Sequence, residues 1–123
     1  DELWGGTGDD SLLGNADNDT LYGGQGVDTL NGGTGDDFLR GGTLSDTFIF
    51  ASGNDWLDDF RTAEDFLVLD DALWFGTRTA QQVLDQFGSV VGGNYVLDFG
   101  NGNTLTFNGT INEAELVGLI SII

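Results

Sequence analysis

The chain has 123 residues, of which 21 are acidic and 3 are basic, so its formal net charge is −18. This charge argues against nucleic acid or an anionic membrane surface as a partner, because both are bound by clustered Lys and Arg. The absence of Cys and His excludes disulfide bonds and the usual zinc sites. No apolar run approaches the ~18 residues that a membrane span needs. Disorder is disfavoured, because 39% of the residues are hydrophobic.

The first half of the chain is a tandem repeat of nine residues. Aspartates recur at this spacing at Asp1, Asp10, Asp19, Asp28, Asp37, Asp46 and Asp55, and a Leu or Phe stands two residues after each. One such unit cannot bury its apolar side chain alone, so the units are expected to stack. Each unit is predicted to form a six-residue glycine-rich turn followed by a three-residue extended piece.

The repeat also predicts where the aspartates lie. If successive extended pieces alternate between two parallel sheets, two repeats form one 18-residue turn of a coil. Asp10, Asp28 and Asp46 would then line one edge, here called the first edge. The second edge would carry Asp1, Asp19, Asp37 and Asp55.

Stacked carboxylates raise the question of a cation. Two unit charges about 5 Å apart repel by roughly 3 kcal/mol at an effective dielectric constant near 20. A core of one Leu per repeat offsets little of this, so the repeat half is expected to be unfolded without metal. A site made only of carboxylate and carbonyl oxygens favours calcium over transition metals and magnesium. The alternative is that the aspartates are turn residues that accept hydrogen bonds from loop amides.

Five consecutive blocks carry a resemblance to a known family. They are residues 5–13, 14–22, 23–31, 32–40 and 41–49. Their pattern resembles the RTX (repeats-in-toxin, or hemolysin-type) calcium-binding nonapeptide Gly-Gly-x-Gly-x-Asp-x-hydrophobic-x. The resemblance implies a calcium-bound parallel β-roll. In each site, carbonyls at positions two and four and the Asp of one loop would join carbonyls at positions one and three and the Asp of the loop two repeats on.

Carried onto this sequence, the resemblance implies three calcium sites and a weaker fourth. The first site comprises Gly6, Gly8 and Asp10 with Gly23, Gln25 and Asp28. The second comprises Asn15, Asp17 and Asp19 with Gly32, Thr34 and Asp37. The third comprises Gly24, Gly26 and Asp28 with Gly41, Thr43 and Asp46. The fourth would comprise Gly33, Gly35 and Asp37 with Phe50, Ser52 and Asp55.

Some blocks depart from the pattern. Asn15 and Asp17 stand at glycine positions. Asn and Asp adopt positive φ more readily than other non-glycine residues, so the turn is expected to keep its shape. The Asp17 side chain either adds a ligand oxygen or is simply solvated, and solvation is the commoner outcome. Leu44 replaces a glycine, so the third site is expected to be distorted. The fourth site lacks the glycine pair altogether.

Beyond Asp46 the sequence predicts longer strands over residues 46–50, 55–60 and 65–70. Residues 79–87 have helical spacing, with Thr79 as N-cap and Gly88 as the stop. Residues 95–99 and 104–107 flank Asn101-Gly102, which suits a hairpin turn. Asn112 and Glu115 form a capping-box pattern for a short terminal helix. We therefore predict a mainly all-β fold, with a roll over residues 1–58 and a β-rich cap with one or two short helices over residues 59–123, packed as one unit.

The expected function is calcium-triggered folding. No catalytic motif occurs, so the predicted chain is a non-catalytic module of a secreted protein. The resemblance implies export by a type I secretion machine that reads an acidic and then apolar C-terminus, and it adds N-terminal domains of the parent protein as partners. The alternatives are the C-terminal part of a secreted protease, lipase or epimerase, or a surface or polysaccharide-binding module. A sugar platform would need Trp4, Trp56 and Trp74 exposed, whereas their apolar neighbours favour core or capping roles.

Overall fold

The computed structural model describes every residue from Asp1 to Ile123. Its twelve strands form two sheets, of seven and five strands. The strands are β1 Glu2–Thr7, β2 Ser11–Ala16, β3 Thr20–Gln25, β4 Thr29–Thr34, β5 Phe38–Thr43, β6 Thr47–Phe50, β7 Asn54–Leu57, β8 Phe66–Leu69, β9 Gly88–Val91, β10 Asn94–Gly100, β11 Asn103–Phe107 and β12 Ile120–Ile122. Two α-helices, α1 Ala80–Phe87 and α2 Glu113–Leu116, complete the fold.

The first eight strands form a parallel coil. Odd-numbered strands follow one another in one sheet, in the order β1-β3-β5-β7, and even-numbered strands follow in the other. The register is one turn of 18 residues, since Leu3 pairs with Leu21 and Leu12 with Leu30. This confirms the predicted β-roll and its alternation between two sheets.

The strands of the repeats are longer than predicted. Each of β1 to β5 has six residues rather than three, because the ladder continues through the first two glycines and the residue after them. Gly6 pairs with Gly24, and Thr7 pairs with Gln25. The actual turn is therefore short, and it contains the glycine at position four and the two residues before the next strand begins.

The core runs along the axis of the roll. The repeat residues Leu12, Leu21, Leu30, Leu39, Phe48 and Leu57 are buried, while Leu3 is half-buried. They belong to one cluster of 18 buried residues that continues into the C-terminal region. One side chain per repeat thus builds a single file of apolar contacts between the sheets, as the period requires.

The C-terminal region extends both sheets. Strand β11 adds in parallel to β7, and the antiparallel strands β10 and β9 follow it. The predicted hairpin is present, with positive φ at both Asn101 and Gly102. Helix α1 is also present, and Thr79 and Gln82 form a full capping box at its start.

Five details differ from the prediction. The strand predicted over residues 55–60 ends at Leu57, because Asp59 turns to accept hydrogen bonds from the amides of Gly41 and Gly42. Asn112 caps α2, but Glu115 accepts from Thr62 instead of returning to the Asn112 amide. Strands β9 and β12 were not predicted, and neither was a 3-10 turn at residues 71–73.

The three tryptophans lie apart. Trp4 points outward from β1 and is 68% exposed, so a core role is wrong for this residue. Trp56 is half-buried on β7, three strands away in the same sheet. Trp74 packs against Phe87 and Phe99. None of the helices is long and apolar enough to cross a membrane.

Candidate metal centre

Four of the repeat aspartates accept a hydrogen bond from the backbone amide of their counterpart one turn earlier. On the first edge, the amide of Asp10 donates to Oδ1 of Asp28 at 2.8 Å, and the amide of Asp28 donates to Oδ1 of Asp46 at 2.9 Å. On the second edge, the amide of Asp19 donates to Oδ1 of Asp37 at 2.8 Å, and Asp37 donates to Asp55 at 3.1 Å. The turn-residue alternative is thus half correct, since one oxygen of each carboxylate serves the backbone.

The second carboxylate oxygen of five of these aspartates accepts no hydrogen bond from the protein. Oδ2 is buried and lacks a hydrogen-bond partner in Asp10, Asp19, Asp28, Asp37 and Asp46. Buried acceptors left without a partner cost free energy, and a regular row of them is unusual in a stable fold. A cation between the turns would supply the missing partner.

Backbone carbonyl oxygens face the same points. An ideal Cβ built on Gly23 would lie 2.4 Å from Oδ2 of Asp28 and 2.5 Å from the carbonyl oxygen of Gly41. The two oxygens are therefore no more than about 5 Å apart, a separation that one calcium ion with bonds of about 2.3–2.6 Å to oxygen would bridge. The same pairing recurs at two other glycines. Oδ2 of Asp10 and the carbonyl oxygen of Gly23 both lie next to the Cβ position of Gly5. Oδ2 of Asp19 and the carbonyl oxygen of Gly32 both lie next to that of Gly14.

The stacked glycines make this close approach possible. A Cβ on Gly24 would lie 2.3 Å from the carbonyl oxygen of Gly6, and one on Gly26 would lie 2.0 Å from that of Gly8. Both glycines have positive φ. The carbonyl oxygens at positions two and four therefore lie this close to the next turn because the matching positions of that turn are glycines.

The donor set fits calcium. No three acidic side chains meet at one point in the chain, so a cation between two turns would take two carboxylates and complete its shell with carbonyl oxygens. Such a hard, irregular, oxygen-only shell of six or more ligands is the environment that calcium accepts. In the first, second and third predicted sites, the structure brings together an Asp Oδ2 and the position-one carbonyl of the next turn.

The second site keeps its shape without its glycines. Asn15 and Asp17 adopt φ of 83° and 73°, the conformation that the missing glycines would have had. Their carbonyl oxygens lie 2.1 and 2.2 Å from ideal Cβ positions on Gly33 and Gly35. The Asp17 side chain is exposed, so it is solvated rather than turned into the site.

The third site is looser at its last turn. Leu44 stands at a glycine position with φ of 75° and is 58% exposed. The amide of Gly8 donates to the Gln25 carbonyl at 2.7 Å, whereas the equivalent bond from Gly26 to Thr43 measures 3.4 Å. The side chain at position 44 therefore accompanies a wider gap between the turns.

The fourth site lacks two of its expected ligands in free form. The carbonyl oxygen of Phe50 accepts a hydrogen bond from the Asp70 amide at 3.1 Å, as part of a strand ladder. The hydroxyl of Ser52 donates to the carbonyl of Gly33 at 3.4 Å. Near Gly32 the three closest atoms all belong to Asp37. This gap therefore offers fewer free oxygens than the other three.

Burial changes the acidity of three of these aspartates. Burial raises the pKa of Asp55 to about 8 and that of Asp46 to about 6, from an ordinary value of 3.8. Burial also raises the pKa of Asp37. In each case hydrogen bonding from the preceding turn opposes the rise and neighbouring carboxylates add to it. The metal-free roll thus holds these three acids in surroundings that disfavour negative charge.

The first edge continues further than the repeat indicated. The amide of Asp46 donates to Oδ1 of Asp65 at 3.0 Å, across 19 residues rather than 18. Asp65 is buried, and Arg61 lies beside it. The nine-residue spacing did not predict Asp65 or Arg61 as part of this edge, because Asp65 follows Asp46 by 19 residues and not by 18. The only available signal was the Asp-x-Leu pattern, which recurs at Asp65.

A second row of side chains also escaped the sequence reasoning. The residue before three of the repeat aspartates accepts a hydrogen bond from the next turn: Asp9 from the amide of Val27, Asn18 from that of Asp36, and Asp36 from that of Asn54. An acid or Asn at this position recurs in several blocks. These side chains fix the spacing of the turns from the outside, where they remain solvated.

Comparison with known proteins agrees with this geometry. The family model of the RTX calcium-binding nonapeptide repeat matches residues 1–30 and 22–57, with four copies. The structure resembles the extracellular lipase LipA from Serratia marcescens, with a TM-score of 0.62 and 28% sequence identity. That match covers 97% of this chain and 20% of the lipase, so the chain spans about a fifth of the lipase.

Two further solved structures are similar. They are the AlgE6R2 and AlgE6R3 subunits of the mannuronan C5-epimerase from Azotobacter vinelandii, each 25% identical, with TM-scores of 0.62 and 0.56. The matches cover 99% and 95% of this chain and 92% and 80% of those chains. A comparison with curated protein sequences finds no significant match.

Proposed function

Because the chain belongs, through residues 1–57, to the RTX calcium-binding nonapeptide repeat family, we propose that it is a calcium-triggered folding module of a larger secreted protein. Calcium binding is the property that this family gives the chain, and the repeat roll is a non-catalytic module. The row of buried, partnerless Oδ2 atoms carries the proposal. A cation bound between the turns would give these oxygens the partner that the protein itself does not supply.

We assign three calcium ions to the gaps between turns. Two lie on the first edge, between Asp10 and Asp28 and between Asp28 and Asp46, and one lies on the second edge, between Asp19 and Asp37. A fourth, between Asp37 and Asp55, is the weakest, because the carbonyl oxygens of Phe50 and Gly33 already accept hydrogen bonds from the protein. The complete ligand sets are those given by the repeat pattern.

The balance of energies supports folding only with calcium. Stacked carboxylates repel, and one buried Leu per repeat contributes roughly 1.5–3 kcal/mol against about 1–2 kcal/mol of backbone entropy per ordered residue. A site filled at ten times its Kd adds about 1.4 kcal/mol. Extracellular calcium, at about millimolar concentration, reaches the Kd range of 10⁻⁴–10⁻³ M that extracellular modules have. Cytosolic calcium does not.

Circular dichroism tests this directly. In chelator the protein should lack β structure, and it should gain it on addition of calcium but not of magnesium at the same concentration. A far-UV spectrum with full β content in chelator would contradict calcium-triggered folding. Equal responses to both ions would contradict the assignment of calcium.

Export follows from the same property. An unfolded, highly acidic chain suits passage through a type I secretion channel, and calcium outside the cell would then fold it. Leu116 is buried and β12 pairs with β8 in the folded state. Folding thus ties part of the apolar end into the sheet, whereas the unfolded chain would offer all of it to a transporter. Deleting residues 117–123 should abolish export from a cell with a type I system, and unchanged export would exclude this terminus as the signal.

The parent protein is the second partner. Since the chain corresponds to a fifth of an extracellular lipase, we propose that a catalytic domain of a secreted enzyme, of lipase or epimerase type, is joined to this module. The module would delay the folding of its partner until export. Joining residues 1–123 to a reporter enzyme tests this, since the reporter should become active outside the cell only when calcium is present.

A glycan-binding role is the second candidate, and one surface favours it. Trp4 stacks on Tyr22 with ring centroids 4.2 Å apart, and both border a groove of about 350 Å³ beside Arg40. Two structural neighbours are subunits of an epimerase that acts on mannuronan. Mannuronan added at saturating calcium should change the tryptophan fluorescence, and Trp4→Ala should lose the response. No change in the unmodified protein would exclude this role.

A further inference from the structure

The first edge ends in a gap between turns that contains an arginine side chain. In this gap the repeat pattern places the position-four carbonyl of Leu44 and Oδ2 of Asp46 on one side. Asp65 lies on the other side, since its Oδ1 accepts from the Asp46 amide as in every earlier turn. Two carboxylates and a position-four carbonyl, three of the ligands proposed for each earlier calcium site, thus border this gap as well.

The guanidinium of Arg61 contacts all three of these groups. Its Nη2 donates a hydrogen bond to the carbonyl oxygen of Leu44. The same nitrogen lies 3.9 Å from Oδ2 of Asp46 and 3.5 Å from Oδ1 of Asp65. The backbone amide of Arg61 donates to Oδ2 of Asp65 at 2.7 Å, which fixes that carboxylate from the other side.

We propose that the Arg61 guanidinium occupies the cation position of this last gap and thereby ends the row of calcium ions on the first edge. The inference rests on the calcium sites proposed above. A permanent positive charge stands where the next ion would bind, because Arg stays protonated in proteins. The extra residue between Asp46 and Asp65 belongs to the loop that carries this side chain.

The surroundings distinguish this contact from an ordinary surface ion pair. Asp46 and Asp65 are both fully buried, and Oδ2 of Asp46 has no hydrogen-bond partner. Arg40 provides the contrast. It is 56% exposed, and its Nε lies 3.7 and 3.8 Å from Asp58 and Asp59, which are both partly exposed. Exposed pairs of that kind contribute little to stability.

The calcium-loaded protein gives the first test. An anomalous difference map of its crystals should show calcium in the gaps between Asp10 and Asp28 and between Asp28 and Asp46, and none between Asp46 and Asp65. A peak between Asp46 and Asp65 would overturn the inference. Absence of all peaks would instead overturn the proposed calcium sites, and with them the basis of this inference.

Substitution gives the second test. Arg61→Ala should bind one more calcium ion per chain than the unmodified protein by isothermal titration, and Arg40→Ala should bind the same number. Arg61→Ala should also need a higher calcium concentration to fold, because it lacks the guanidinium charge that lies between Asp46 and Asp65 when calcium is scarce. An unchanged number in Arg61→Ala would overturn the inference. If that variant does not fold, the map of the unmodified protein decides alone.

Discussion

The amide of Asp28 donates a hydrogen bond to Oδ1 of Asp46, one turn further along the roll, at 2.9 Å. Asp28 itself accepts from Asp10 through its own Oδ1. The carboxylate therefore keeps its position through the backbone, and its Oδ2 faces the Gly41 carbonyl. Asp28 is the one aspartate on this edge that belongs to two of the three main proposed sites.

Replacing Asp28 should therefore remove more bound calcium ions per chain than replacing Asp10. In Asp28→Asn the amide oxygen still accepts from the preceding turn, but an NH₂ group faces the carbonyls where calcium would bind. We expect the loss of two calcium ions per chain, against one in Asp10→Asn, measured by isothermal titration. Asp85→Asn in α1 is the matched control, since it makes the same charge change on an exposed helix face. Equal losses in the two edge variants would refute the shared site.

A methyl group at Gly26 should open the roll. A Cβ there would lie 2.0 Å from the carbonyl oxygen of Gly8, and the residue has φ of 140°. We expect Gly26→Ala to destabilise the calcium-bound protein by about 2 kcal/mol or more, from backbone strain and steric overlap together. Gly118→Ala is the control, because nothing lies near its Cβ position and its φ is not positive. Similar urea midpoints for the two variants would contradict the close stacking of the turns.

Leu44→Gly should strengthen the third site. Leu44 has φ of 75° and a mostly exposed side chain, so the substitution relieves backbone strain and removes few contacts. We expect a gain of about 1 kcal/mol in the calcium-bound state and a lower calcium midpoint of folding. Urea denaturation at saturating calcium measures the first effect, and a calcium titration followed by circular dichroism measures the second. A lower stability would show that the leucine itself supports the turn.

Acid should partly replace calcium. In the metal-free roll burial raises the pKa of Asp46 to about 6 and that of Asp55 to about 8, whereas both have an ordinary pKa of 3.8 when unfolded. Between these values the folded chain binds more protons than the unfolded chain, so its stability falls as pH rises. In chelator, β structure should therefore increase from pH 8 to pH 5.

Calcium binding should change in the opposite direction. Protons compete for the same carboxylates, so the calcium midpoint should be higher at pH 5 than at pH 8. Circular dichroism at constant ionic strength measures both effects. Identical spectra in chelator at the two pH values would contradict a role for these buried acids in stability.

The sequence predicted the roll because its spacing is strict. A step of nine residues with one inward Leu determines both the sheet in which each strand lies and its partner 18 residues away, as in the pairing of Leu21 with Leu39. The period also identified the aspartates of both edges. It could not show that one carboxylate oxygen bonds to the preceding turn, because that depends on the side-chain torsion and not on the spacing.

The arrangement after the repeats depends on packing between distant residues. Strand β11 pairs with β7 across about 50 residues of sequence, and Leu105 and Phe107 enter the same core as Leu57. No local pattern encodes such a partner. The step of 19 residues to Asp65 escaped for a simpler reason, since a strict count of nine excludes it.

The proposed sharing of aspartates between neighbouring calcium sites would make the roll a one-dimensional array. Each turn touches only the turns on either side, so filling one gap positions a ligand for the next and occupancy spreads along the axis. The cooperativity of calcium-dependent folding would then grow with the number of consecutive turns. The calcium concentration at its midpoint would depend on the affinity of a single gap. In such an array, repeat number and loop composition adjust two separate properties of one calcium sensor.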